Sequence, residues 1–139
     1  MESEDIHIRI GHSPDPDDAF MFHALTTGAM ETPGRHYEHV LLDIQTLNEK
    51  ALNSEYEISA VSIHSFPKII ENYALMNCGA SMGEGYGPML IGNEQLTSQE
   101  AKSRTIAVPG LDTSAYLALR LAWGEVDVEV VPFDEILPS

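Results

Sequence analysis

Short apolar segments alternate with helix-length segments along the whole chain, and this alternation constrains the fold more than any other feature. Ile6, Ile8 and Ile10 alternate with His7 and Arg9 and predict a first strand through about Ile10. A turn follows over 11–18, where Pro14 and Pro16 forbid regular pairing. Ala19 to Thr27 reads as a helix with Met21, Phe22 and Leu25 on its apolar face, Asp17 and Asp18 at its positive end and Gly28 as its stop. Val40 to Ile44 predicts a second strand, and Thr46-Leu-Asn-Glu49 has the spacing of a capping box opening a short helix. Ile58 to Ile63 predicts a third strand, leading into a helix started by Pro67. Ala74 to Cys78 and Pro88 to Ile91 read as further strands, and Asn93 to Arg104 as a polar connector or exposed short helix. Thr105 to Val108 predicts a strand, Thr113 to Trp123 a helix with Leu117 and Leu121 inside and Gly124 as stop, and Val126 to Val131 a last strand. The fold class is α/β with a mainly parallel sheet.

Charge excludes several functions. The 139 residues carry 7 Lys+Arg against 22 Asp+Glu, a net charge of −15, so no basic stripe exists for nucleic acid or for an anionic membrane surface. The first residues are acidic rather than the basic start of a secretory signal, and no apolar run approaches the roughly 18 residues of a membrane span. The expected location is the cytoplasm. Cys78 is the only cysteine, which removes any intramolecular disulfide or cysteine zinc cluster; it is expected as a buried small hydrophobe.

Three strand-to-helix junctions carry small hydroxyl residues: Ser13 in the first, Ser62 and Ser65 in the third, Thr113 and Ser114 after the later strand. In open parallel sheets such junctions emerge at the carboxyl edge, beside the free amides of helix starts, which suit a small anionic ligand such as a carboxylate. Plain helix capping is the leading reading of any one junction, and only three of them on one sheet edge bring ligand contact level with it. His64, beside Ser62 and Ser65, is the candidate for acid–base work, with a hydrogen-bonded structural histidine as the alternative. His12 with Asp15, Asp17 and Asp18 does not match a calcium loop, His36 and His39 do not identify zinc, and Gly83 to Gly87 reads as a hinge or bulge rather than a phosphate loop; no metal is expected.

These segments resemble a known family. Gly11-His-Ser-Pro-Asp-Pro-Asp-Asp-Ala-Phe20, Ile58-Ser-Ala-Val-Ser-Ile-His64, Gly85-Tyr-Gly-Pro-Met-Leu90, Val108-Pro-Gly-Leu-Asp-Thr-Ser-Ala115 and Phe133-Asp-Glu-Ile-Leu-Pro138 occur in an order similar to the 1,4-dihydroxy-6-naphthoate synthase family of menaquinone biosynthesis by the futalosine route. The resemblance implies a periplasmic-binding-protein-like (type II) two-lobed fold, with residues 1–91 as the first α/β lobe and 92–139 as an incomplete second lobe. It implies a lyase that cleaves cyclic dehypoxanthine futalosine after proton removal, without a cofactor. It places substrate contacts at Ser13, Pro14, Ala60, Val61, Ser62, Thr113 and Ser114.

Departures from the family are Asp15 and Asp17 where better-known members carry Cys and Asn, Ala60 where some have Lys, and Asp112 where some have His. The family's general-base histidine falls beyond Ser139, so impaired turnover is expected, with exposed apolar surface driving self-association or pairing with a complementing polypeptide. The competing function is a cytoplasmic solute-binding-like module that holds a small carboxylate without chemistry.

Overall fold

The computed structural model describes residues 5–137; the start of the acidic leader at 1–4 and Pro138 of the last family segment lie outside the described residues. The chain folds as α/β with two parallel sheets, the first in the order β2-β1-β3 and the second pairing β4 with β5. β1 (Ile6–His12) is the central strand. It pairs along its whole length with β2 (Arg35–Leu41), from Ile6 opposite Arg35 to His12 opposite Leu41, and at Ile10 and Gly11 with β3 (Ile58–Ser59). Between them run α1 (Pro16–Thr26) and α2 (Ile44–Leu52), and α3 (Phe66–Ile69) follows β3. The second unit comprises α4 (Ser98–Lys102), β4 (Ile106–Val108), α5 (Ser114–Trp123) and β5 (Val128–Val130), with a 3-10 turn at Phe133–Glu135.

The core is small. Ile10, Leu47, Ala51 and Ile69 fill the space under the first sheet, and Ala101, Ile106 and Val108 that under the second. Gly11 lies where β1 passes close to α2: a Cβ there would meet Leu47 Cδ2 and Tyr56 Cδ2 at 2.8 Å. Gly28 follows α1 in the left-handed conformation, φ 68°, as its stop requires.

The structure corrects several expectations. The second strand runs over 35–41 rather than 40–44, because Val40 and Leu41 are the last residues β1 can pair and Leu42 N then bonds the His12 carbonyl. Ile44 is therefore helical, and Asp43 rather than Thr46 caps α2, its carboxylate accepting from Thr46 N at 3.0 Å. β3 keeps two residues of the predicted six, since after Ala60 N bonds the Gly11 carbonyl the chain turns at 62–65. Ala74 to Cys78 and Pro88 to Ile91 form no strand; among the described residues, 74–96 make no backbone–backbone hydrogen bond, and an apolar segment without a partner strand has no ladder to join. Cys78 is exposed, not buried, because it lies in that segment. Leu121 is 78% exposed, so only Leu117 of the predicted inner pair is shielded. The polar stretch 93–104 does contain a helix, α4, closed by a reciprocal Thr97–Glu100 capping box.

Candidate functional site

The carboxyl ends of both sheets border one open cleft of about 570 Å³. Ser13, Pro14 and Asp15 from the turn after β1 line it, with Asp43, Ile44, Gln45 and Thr46 from the start of α2. The opposite wall is Pro109 after β4 and the segment 130–134 from the end of β5. Its volume falls within the range of small-molecule sites, and its walls are mostly apolar, through Pro14, Ile44, Pro109, Val131, Pro132 and Phe133.

Ser13 is the hydroxyl best placed for a ligand. Its Oγ accepts from Asp15 N at 3.2 Å, its own amide donates to Asp18 Oδ2 at 2.7 Å, and the hydroxyl hydrogen has no acceptor among the described residues. Asp18 is half-buried, and that burial raises its carboxyl above the ordinary value against the opposing pull of the Ser13 amide. Asp43 is held below its ordinary value: burial raises it, but the Thr46 hydroxyl and the Thr46 and Gln45 amides together outweigh that. The α2 start therefore already spends amides on its own carboxylate. Three carboxylates, Asp15, Asp43 and Asp134, line the cleft with no Lys or Arg among its lining residues.

Ser62 and Thr113 occupy a buried polar joint instead of the cleft lining. Asn48, with no exposed surface, accepts from Ser62 N at 2.8 Å and donates to Ser62 Oγ at 3.1 Å and to the Asp112 carbonyl at 3.2 Å. Ser65 Oγ also donates to that carbonyl, Asp112 N donates to Gln45 Oε1 at 3.2 Å, and Lys68 pairs with the Asp112 carboxylate. Thr113 caps α5, accepting from Tyr116 N and donating to the Gly110 carbonyl at 2.8 Å. His64 Nδ1 lies 3.2 Å from the Thr113 carbonyl, so that nitrogen carries the proton in the joint. Ala60 and Val61 are half-buried beside β3, and Ser114 is half-buried at the first position of α5.

The hub residue Asn48, with Gln45 and Lys68, was not evident from motif spacing. One signal existed: on the helix 44–52, Asn48 shares the inward face of Leu47 and Ala51, where an amide must find buried partners. His12 and His39 are brought together across β1 and β2, whereas His36 and His39 are not.

Similarity to other proteins agrees with this architecture. A family model described as menaquinone biosynthesis matches residues 8–139. The 1,4-dihydroxy-6-naphthoate synthase of Thermus thermophilus is 38% identical over 132 residues, covering 94% of this chain and 47% of that protein. The enzyme of the same name from Streptomyces coelicolor is 34% identical over 140 residues, covering 95% and 48%. The crystal structure of protein AF1704 from Archaeoglobus fulgidus superposes with a TM-score of 0.89 at 41% identity, covering 99% of this chain and 50% of that one. The chain thus spans about half the length of the curated relatives it matches. With this match over nearly its whole length, the chain belongs to the menaquinone-biosynthesis family and is related to 1,4-dihydroxy-6-naphthoate synthase.

Proposed function

We propose that this chain is the substrate-binding part of a carbon–carbon lyase of the 1,4-dihydroxy-6-naphthoate synthase type, acting on cyclic dehypoxanthine futalosine. In this reading residues 1–91 belong to one lobe and 92–139 to part of a second, in a periplasmic-binding-protein-like arrangement. The observation that carries it is the apolar cleft between the carboxyl ends of two parallel sheets, in a chain of this family. An aromatic ring system suits walls of Pro14, Ile44, Pro109, Val131 and Phe133, where its burial supplies the binding energy. The acidic rim directs the substrate carboxylate away from Asp43 and Asp134 and toward the free Ser13 hydroxyl. Ser62 and Thr113, with Ala60, Val61 and Ser114 beside them, act from the joint that sets the position of the 109–114 loop.

The second reading, a module that binds a small carboxylate without catalysis, draws on His64. Its Nδ1 faces the Thr113 carbonyl, and the residue is not part of the cleft lining. One experiment separates the two. The isolated chain is mixed with cyclic dehypoxanthine futalosine, and binding is followed by calorimetry and product by chromatography. The lyase reading expects saturable binding that Ser13→Ala weakens roughly tenfold, the loss of one hydrogen bond to a charged group. It also expects only slow product formation by this chain alone. Saturable binding of simple aromatic carboxylates with no product from the cyclic substrate favours the binding module. A folded sample indifferent to both ligands removes both readings. Fast turnover abolished by His64→Ala would instead make His64 the base.

A further inference from the structure

His12 and His39 line a second pocket, of about 330 Å³, between α1 and β2. Phe22, Ala19, Leu41 and Pro14 supply its apolar wall. His12 is 3% exposed, and its Nδ1 lies 3.0 Å from the Ser13 carbonyl. A carbonyl only accepts, so His12 Nδ1 carries the proton. A neutral imidazole has one N–H, which leaves His12 Nε2 bare and makes His39 Nδ1, 3.0 Å away, the donor of the bond between the rings. His39 Nε2 is then a lone pair, and it is buried with no hydrogen-bond partner. Phe22 fixes both rings, its centroid 4.4 Å from that of His12 and 5.9 Å from that of His39. Protonation does not relieve the orphaned atom at neutral pH, since burial holds His39 below its ordinary value.

The geometry points to a second binding site: the pocket takes an uncharged O–H or N–H group on a small aromatic or apolar frame, and that group donates to His39 Nε2. An acceptor-only anion is refused, because its lone pairs would oppose that of the ring nitrogen. No third His, Cys, Asp or Glu is placed to complete a metal site with the pair among the described residues. Ser13 and Pro14 line both this pocket and the large cleft, so the two sites are neighbours with a common wall. The site does not depend on the lyase reading, because the probes below are not substrates of that reaction.

The test is nitrogen-15 NMR of the histidine rings in the unmodified chain, with phenol as donor probe, toluene as the same frame without a donor, and benzoate as the anion. In the free protein His39 is expected as the Nδ1–H tautomer with a bare Nε2. Phenol is expected to shift that Nε2 resonance saturably, toluene to shift it at least about tenfold less and benzoate not at all, in line with one hydrogen bond deciding occupancy. In His39→Phe, which keeps an aromatic ring there, the saturable phenol response at His12 is expected to vanish. An Nε2–H tautomer in the free protein, a toluene response equal to that of phenol, or unchanged phenol affinity in His39→Phe would overturn the proposal.

Discussion

Asn48, with no exposed surface, makes two hydrogen bonds to Ser62 within the first sheet unit and one to the Asp112 carbonyl of the second. Asn48→Ala strands the buried Ser62 amide and leaves the Asp112 carbonyl with Ser65 Oγ as its remaining donor, a loss of about 1–3 kcal/mol that a shifted urea midpoint at unchanged slope would register. Gly110 meets the same joint by close approach: a Cβ there would sit 2.1 Å from Gln45 Oε1. Gly110→Ala must therefore expel the Gln45 side chain from its bond to Asp112 N, and is expected to destabilise by a further fraction of that amount. Titration acts at the same scale. Arg9 holds Glu57 at about 2, through the side-chain pair first and the Arg9 amide second, against an ordinary 4.5. Because its folded value is depressed, the stabilisation from Glu57 is complete above pH 4.5 and is lost as pH falls through about 2. Glu57→Gln should flatten that acid limb in thermal melts, less so at high salt since both partners are about half exposed. His39 adds a milder slope of the same sign below pH 6.5, where the unfolded chain gains a proton that the buried ring resists. Ser13 and Thr113 were legible in the sequence as hydroxyls at strand ends. Asn48 was not, because an amide acquires its role only from partners 14 and 64 residues away.

Three helices are closed at their start by a side chain, α2 by Asp43, α4 by Thr97 and α5 by Thr113, and the caps differ in what else they hold. Thr97 closes α4 with Glu100 in an exposed reciprocal box, while Thr113 caps α5 from a buried position and also donates to the Gly110 carbonyl. Thr113→Ala is therefore expected to cost about 1–2 kcal/mol and Thr97→Ala about 0.5–1, measured side by side in urea. The same comparison explains which caps the sequence discloses. Thr113 follows a Gly-Leu-Asp turn and precedes an uninterrupted apolar period, so only one start fits. At α2 two starts obey the three-residue spacing, Asp43 with Thr46 and Thr46 with Glu49. The choice falls to Asp43 because β2 ends where β1 ends, at Leu41, and the pairing of β1 with β2 is non-local information. β3 falls short of the expected strand for a related reason: Ile58 to Ile63 is mostly apolar, but β1 offers it a partner only at Ile10 and Gly11.

At the scale of the whole molecule, surface area carries the argument. A compact monomer of 15.3 kDa exposes roughly 7,100 Å² by the usual mass scaling. This chain exposes 10203 Å². The excess, about 3,000 Å², is the area of a large obligate interface, and much of it is apolar: Leu75, Met76, Met82, Tyr86, Met89, Leu90 and Ile91 are all exposed within one segment. That segment touches the rest lightly, Gly79 passing beside the Met21 sulfur and Ser81 holding the Asp17 carboxyl below its ordinary value. Native-state hydrogen exchange should consequently find the amides of 74–96 nearly unprotected, while Ile8 to Gly11 of β1, bonded in the centre of the first sheet, exchange last. Apolar surface of that extent is stable in water only when covered. Sedimentation is expected to show association that grows with concentration, and exchange in 74–96 should slow in step with it. A polypeptide equivalent to the other half of the longer relatives should protect the same amides and abolish the self-association. A sample that stays monomeric at every concentration, with 74–96 protected from the outset, would mean that this segment finds its cover within the chain itself.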